Sequence, residues 1–72
     1  VTLEQFVINT DDELIGKTIM DSGIRDIAHC IVMGIEREGN YIMNPEPSLT
    51  FREGDTVIVA GETELLRKFL NE

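Results

Sequence analysis

Six consecutive positions, Cys30 to Ile35, read CIVMGI and carry nothing more polar than a thiol before the chain turns charged at Glu36 and Arg37. Such a run is the mark of a strand covered on both faces. The chain has 72 residues, room for one small domain that buries only about 60% of the surface its unfolded form exposes. The run is therefore expected to be the central strand of a single core. So small a domain also has reason to bury further surface against a partner.

The flanking segments are read relative to that strand. LEQFVIN (Leu3 to Asn9) places Leu3, Phe6 and Ile8 among polar residues, with the β-branched and aromatic content of a first strand. TDDE (Thr10 to Glu13) has helix-start chemistry. Ile15, Ile19 and Met20 then support a helix of about two turns, ended by Ser22 and Gly23. Glu38 to Asn40 (EGN) is a tight-turn signal, and Tyr41 to Met43 resumes with strand formers, which predicts a hairpin. Pro45 and Pro47 make the stretch up to Phe51 a connector that cannot join a regular ladder. Arg52 to Asp55 (REGD) turns the chain into a buried strand, Thr56 to Ala60, which Gly61 breaks. In the last segment Glu62 and Glu64 precede Arg67 and Lys68, the charge order a helix dipole favours, and Leu65, Leu66, Phe69 and Leu70 form one apolar face. The expected fold is α+β, a small β-α-β-β-β-α sandwich forming one domain over residues 1–72.

Composition narrows the function. Fourteen acidic residues against six basic ones give a formal charge of -8, which opposes nonspecific binding to nucleic acid or to an anionic membrane surface. A lone cysteine, Cys30, forms no disulfide within the chain and points to a reducing compartment. There is no signal peptide or long apolar run, and the first residue is Val1, so the expected reading is a piece of a larger protein. LIGKT (Leu14 to Thr18) resembles the end of a phosphate-binding loop. That loop needs a glycine where Asp11 stands, and the carboxylates of Asp11, Asp12 and Glu13 would repel a phosphate. Gly16 is better read as a turn residue at the entry to the first helix.

No catalytic constellation emerges. His29 and Cys30 are neighbours on an expected strand, so their side chains point to opposite faces and cannot form a dyad. The acids Asp11, Asp12 and Glu13, and the pair Asp26 and His29, lack a recognised metal-ligand spacing and are read as solvated. Arg25 and Arg37 read as surface arginines paired with neighbouring acids, worth about 0 to 1 kcal/mol each. Ile24, Ile27 and Ile31 read either as core or as the apolar surface of a two-fold interface.

Taken in order, these segments resemble the C-terminal domain of the regulator-of-conductance-of-potassium family, called RCK-C or TrkA-C. The resemblance runs through Leu14, Ile15, Gly16, Lys17, Thr18 and Ile19, then Ile24 and Arg25, then Ile35, Arg37 and Gly39. It continues through Pro45 and Pro47 to Leu49, Gly54, Asp55, Val57, Val59 and Gly61. No piece is specific alone; their order and spacing over about 60 residues carry the match.

The resemblance implies a non-enzymatic regulatory domain on the cytoplasmic side of a prokaryotic potassium or cation transporter, channel or cation/proton antiporter. It implies a homodimer joined to a transmembrane part in the same or a partner chain. In some members of that family the cleft between paired domains binds cyclic di-adenosine monophosphate, which makes this dinucleotide the candidate ligand. Arg25 matches an arginine that contacts phosphate in those members, and the implied cleft comprises Ile24, Arg25, Ile27 and Ile31. Where ligand-binding members carry an asparagine this chain has Ile31, which can pack against a base but cannot hydrogen-bond to it. The net charge also opposes a dianion unless the cleft is locally basic. A structural dimerisation domain without a ligand is the alternative reading.

Overall fold

The computed structural model describes residues 2–71. Four strands form one antiparallel sheet: β1 (Thr2–Val7), β2 (Ile31–Arg37), β3 (Asn40–Met43) and β4 (Thr56–Gly61). Their spatial order is β1-β4-β2-β3, followed in the chain by one helix, α1 (Thr63–Leu70). The α+β class, the hairpin and the C-terminal helix match expectation. The β2–β3 turn places Glu38 and Gly39 at φ 51° and 81°, the doubly left-handed geometry that twists a two-residue loop to suit its strands.

The expected first helix does not form. The chain from Asn9 to Cys30 is a series of turns crossed by one isolated bridge, Thr18 to Thr50. The reason is a competition for backbone donors. Gly16 and Ile19 give their N–H groups to the carbonyls of Phe51 and Leu49, and Phe51 donates in return to Lys17. Those bonds replace the i to i−4 bonds of a helix. Local side chains pull the same way: the Asp12 carboxylate accepts from Leu14 N–H, and Thr18 Oγ1 accepts from Asp21 N–H. Gly16, at φ 86°, has a left-handed backbone that no helix tolerates. The proline-bearing connector, expected to stay out of any ladder, is thus the template for this segment.

One sheet face packs on this irregular segment and α1. The core comprises Ile8, Leu14, Ile24, Ala28, Cys30, Ile35, Phe51, Val57, Val59 and Leu66. Backbone approach is closest where β4 ends. A Cβ added to Gly61 would lie 2.5 Å from Cys30 Sγ and 3.1 Å from Cys30 Cα, so glycine here is a packing requirement. Asn71, at φ 65°, closes α1 by donating its N–H to the carbonyls of Arg67 and Lys68.

β2 is an interior strand as expected, paired with β4 and β3 on its two edges, but only one of its faces is covered. A register shift between Val32 and Gly34 interrupts the β2–β4 ladder, and Ile31 and Met33 remain exposed on the outer side. Arg37 also departs from its reading as a surface arginine. Its Nε and Nη2 donate to both oxygens of the Asp55 carboxylate at 2.8 and 2.7 Å, and Nη2 donates to the Thr50 carbonyl at 2.9 Å. Asp55 is 1% exposed and accepts a further bond from Arg52 N–H. This fork ties the end of β2 to the turn that launches β4. Burial pushes the Asp55 carboxyl upward, but the bonds from Arg37 and Arg52 outweigh it and hold the group below the usual carboxylate range.

Candidate functional site

The strand register defines a second, outer sheet face. Along it lie Leu3, Ala60 and Ile31 in one row, and Gln5, Ile58, Gly34 and Met43 in the next. A third row holds Val7, Thr56, Glu36 and Tyr41. Leu3, Val7, Ile31, Met33, Tyr41 and Met43 are all exposed. Six large apolar side chains on one open face exceed what a small soluble domain leaves to water without use. The sequence carried this signal as period two in β1, β2 and β3, but reading Leu3 with Phe6 hid it. The ladder puts Phe6 opposite Val57 on the core side and Leu3 opposite Ala60 on the outer side.

The four cleft residues separate in the structure. Ile24 is 0% exposed and belongs to the core, so its side chain offers no ligand contact. Ile31 is 56% exposed on the outer face. Arg25 and Ile27 lie in the turn that precedes β2, a single coil held by Ile27 N–H donating to the Gly23 carbonyl at 2.8 Å. Arg25 is exposed and forms no ion pair among the described residues. Its guanidinium is therefore available to an anion, in contrast to that of Arg37. Ile27, 67% exposed, instead lines a groove of about 550 Å³ with Phe69, Leu70 and the acidic loop Asp11 to Glu13.

His29 and Cys30, expected on a strand, both precede β2, and their environments differ. His29 is exposed with a left-handed backbone, φ 55°, and Cys30 is buried with its thiol donating to the Ala28 carbonyl at 3.4 Å. Burial pushes the Cys30 thiol pKa up, opposite to the activation a nucleophile needs. Among the described residues, no group of three His, Cys, Asp or Glu side chains is placed to hold a metal ion. Among the same residues, no helix is long and apolar enough to cross a membrane. The chemistry on offer is apolar cover, an exposed guanidinium at Arg25, and an acidic groove.

Comparison with known proteins gives the family and the fold. The TrkA-C domain model matches residues 3–72. The "Probable potassium channel protein 2" of Methanocaldococcus jannaschii is 34% identical over 71 residues, covering 99% of this chain but 21% of that protein. In three dimensions the chain is similar to the RCK C domain of the potassium transport protein KtrA in complex with cyclic diadenosine monophosphate. The TM-score there is 0.86 at 23% identity, covering 97% of this chain and 80% of that one. It is also similar to the RCK_C domain dimer of S. agalactiae BusR in complex with the same dinucleotide, with a TM-score of 0.83 at 22% identity and coverage of 99% and 97%.

Proposed function

The chain belongs to the TrkA-C domain family, and on that premise we propose that it regulates a prokaryotic potassium transport protein as a ligand-sensing homodimer. The observation that carries the reading is the match over residues 3–72, joined to a potassium-channel relative of which this chain spans 21%. The transport protein, its membrane part and its cytoplasmic face belong to the proposal. A second copy covers the apolar outer face, which a 72-residue domain gains stability by burying. The dinucleotide named for the KtrA and BusR structures is the ligand this reading assigns to the cleft.

Each chain brings Arg25 to that cleft as a phosphate donor and Ile31 as an apolar surface for a base. The two-fold relation suits a ligand that is itself two-fold, with one phosphate for each Arg25. Binding that favours one relative orientation of the two copies shifts the population of orientations and thereby acts on the membrane part. A charge of -8 keeps nucleic acid out of the reading for this domain.

Calorimetric titration with cyclic di-adenosine monophosphate tests it. The expected result is one dinucleotide per two chains with about micromolar affinity, near -8 kcal/mol. Replacing Arg25 with alanine should weaken binding by at least about 100-fold, because each bound dinucleotide loses two charge-assisted hydrogen bonds, one from each chain. A dimer that takes up no dinucleotide would instead favour a structural dimerisation domain, a reading supported by the apolar outer face and by Ile31 having no hydrogen-bonding group.

A further inference from the structure

The groove beside the C-terminal end of α1 has no role in the reading above, and its lining is of two kinds. Ile27, Phe69 and Leu70 give it apolar surface, whereas Asp11, Asp12 and Glu13 give it three carboxylates against the single cation of Lys17. The end of α1 adds no net negative sign, because Arg67 and Lys68 lie in its last turn and Asn71 N–H caps their carbonyls, so the acidic character rests on the three carboxylates. Phosphate is repelled from such a site, which separates it from a dinucleotide cleft. The complementary occupant is a peptide segment with apolar side chains on one side and lysine or arginine on the other.

We propose that this groove docks a basic amphipathic cytoplasmic segment of the membrane part of the transport protein. Cytoplasmic segments beside membrane spans carry an excess of lysine and arginine, and a domain of charge -8 attracts them at long range. The matched relative has most of its length outside the region this chain covers. The source of the segment rests on the proposed function; the charge and apolar match does not. Docking at Ile27 attaches the membrane part to the same turn that carries Arg25, so ligand state and docking share one structural element.

The test is a nuclear magnetic resonance titration of this chain with a synthetic peptide about four helical turns long. The peptide has leucines at helical spacing and lysines elsewhere, and a control peptide has glutamate for every lysine. The lysine peptide should shift Ile27, Phe69 and Leu70, and the glutamate peptide should not. The double variant Asp11→Asn with Glu13→Gln should weaken binding by at least about fivefold, the effect of losing two partly screened ion pairs. Asp12 is left intact because it caps Leu14 N–H. A remote double variant of equal charge change, Glu38→Gln with Glu46→Gln, should alter affinity less than about twofold. Equal weakening by both double variants, or shifts centred on the outer sheet face, would overturn the proposal as general charge attraction or misplaced docking.

The dinucleotide titration, repeated on the groove variant, separates the two ideas. Peptide binding in the groove by a chain that takes up no dinucleotide leaves docking standing and removes ligand sensing. Intact dinucleotide binding with no peptide in the groove removes docking alone.

Discussion

Two residues decide how tightly the fold is held. Asp55 is buried and carries charge, so its cost is met only while Arg37 and Arg52 N–H bond to it. Asp55→Asn should therefore lose about 3 kcal/mol or more in urea unfolding, as expected when one partner of a buried pair is removed. The same pair sets a pH dependence. Because the folded-state pKa of Asp55 is lowered, its contribution is complete above the unfolded value of about 3.9 and is lost as pH falls through the lower folded value. Wild-type stability should thus drop more steeply below about pH 4 than that of the Asp55→Asn variant. Sequence reading identified Gly54 and Asp55 as a turn, but not the pair, because Arg37 lies 18 residues away and nothing local links the two. Gly61 makes a second case. Gly61→Ala should cost about 1 to 3 kcal/mol by overpacking, and Cys30→Ala should recover part of that loss, since Cys30 Sγ is the nearest obstruction.

At the scale of elements, legibility followed the range of the interactions that shape each one. Helix α1 was readable because its charge order, apolar face and αL close all lie within its own sequence. The β2–β3 hairpin was readable because two residues, Glu38 and Gly39, fix its turn. The segment from Asn9 to Cys30 was not, because its backbone partners are Pro47, Leu49 and Phe51 in a connector far along the chain. Gly16, read from the sequence as a turn residue, keeps that role in the structure. At φ 86° with open space around an added methyl, Gly16→Ala should cost about 1 kcal/mol through backbone strain alone, measured by thermal or urea unfolding.

For the whole molecule, the main consequence of the fold is its unpartnered side. The expectation that the run Cys30 to Ile35 is covered on both faces holds on one side only, where β2 meets the chain's own core; Ile31 and Met33 are exposed on the other. That open side is where the proposed second copy would sit. Of the residues expected at the cleft, Ile31 is on this face, Arg25 and Ile27 are in the turn before it, and Ile24 is internal. The candidate cleft residues were reached only through family resemblance, since the cleft proposed between two copies would leave no local pattern in one sequence.

Sedimentation equilibrium with and without cyclic di-adenosine monophosphate tests the central claim most directly, with Ile31→Lys as the control for the outer face. The account predicts a wild-type dimer that the dinucleotide tightens, and a folded Ile31→Lys monomer. A wild-type chain that stays monomeric at high concentration and ignores the dinucleotide, or an Ile31→Lys variant that dimerises as well as wild type, would contradict it.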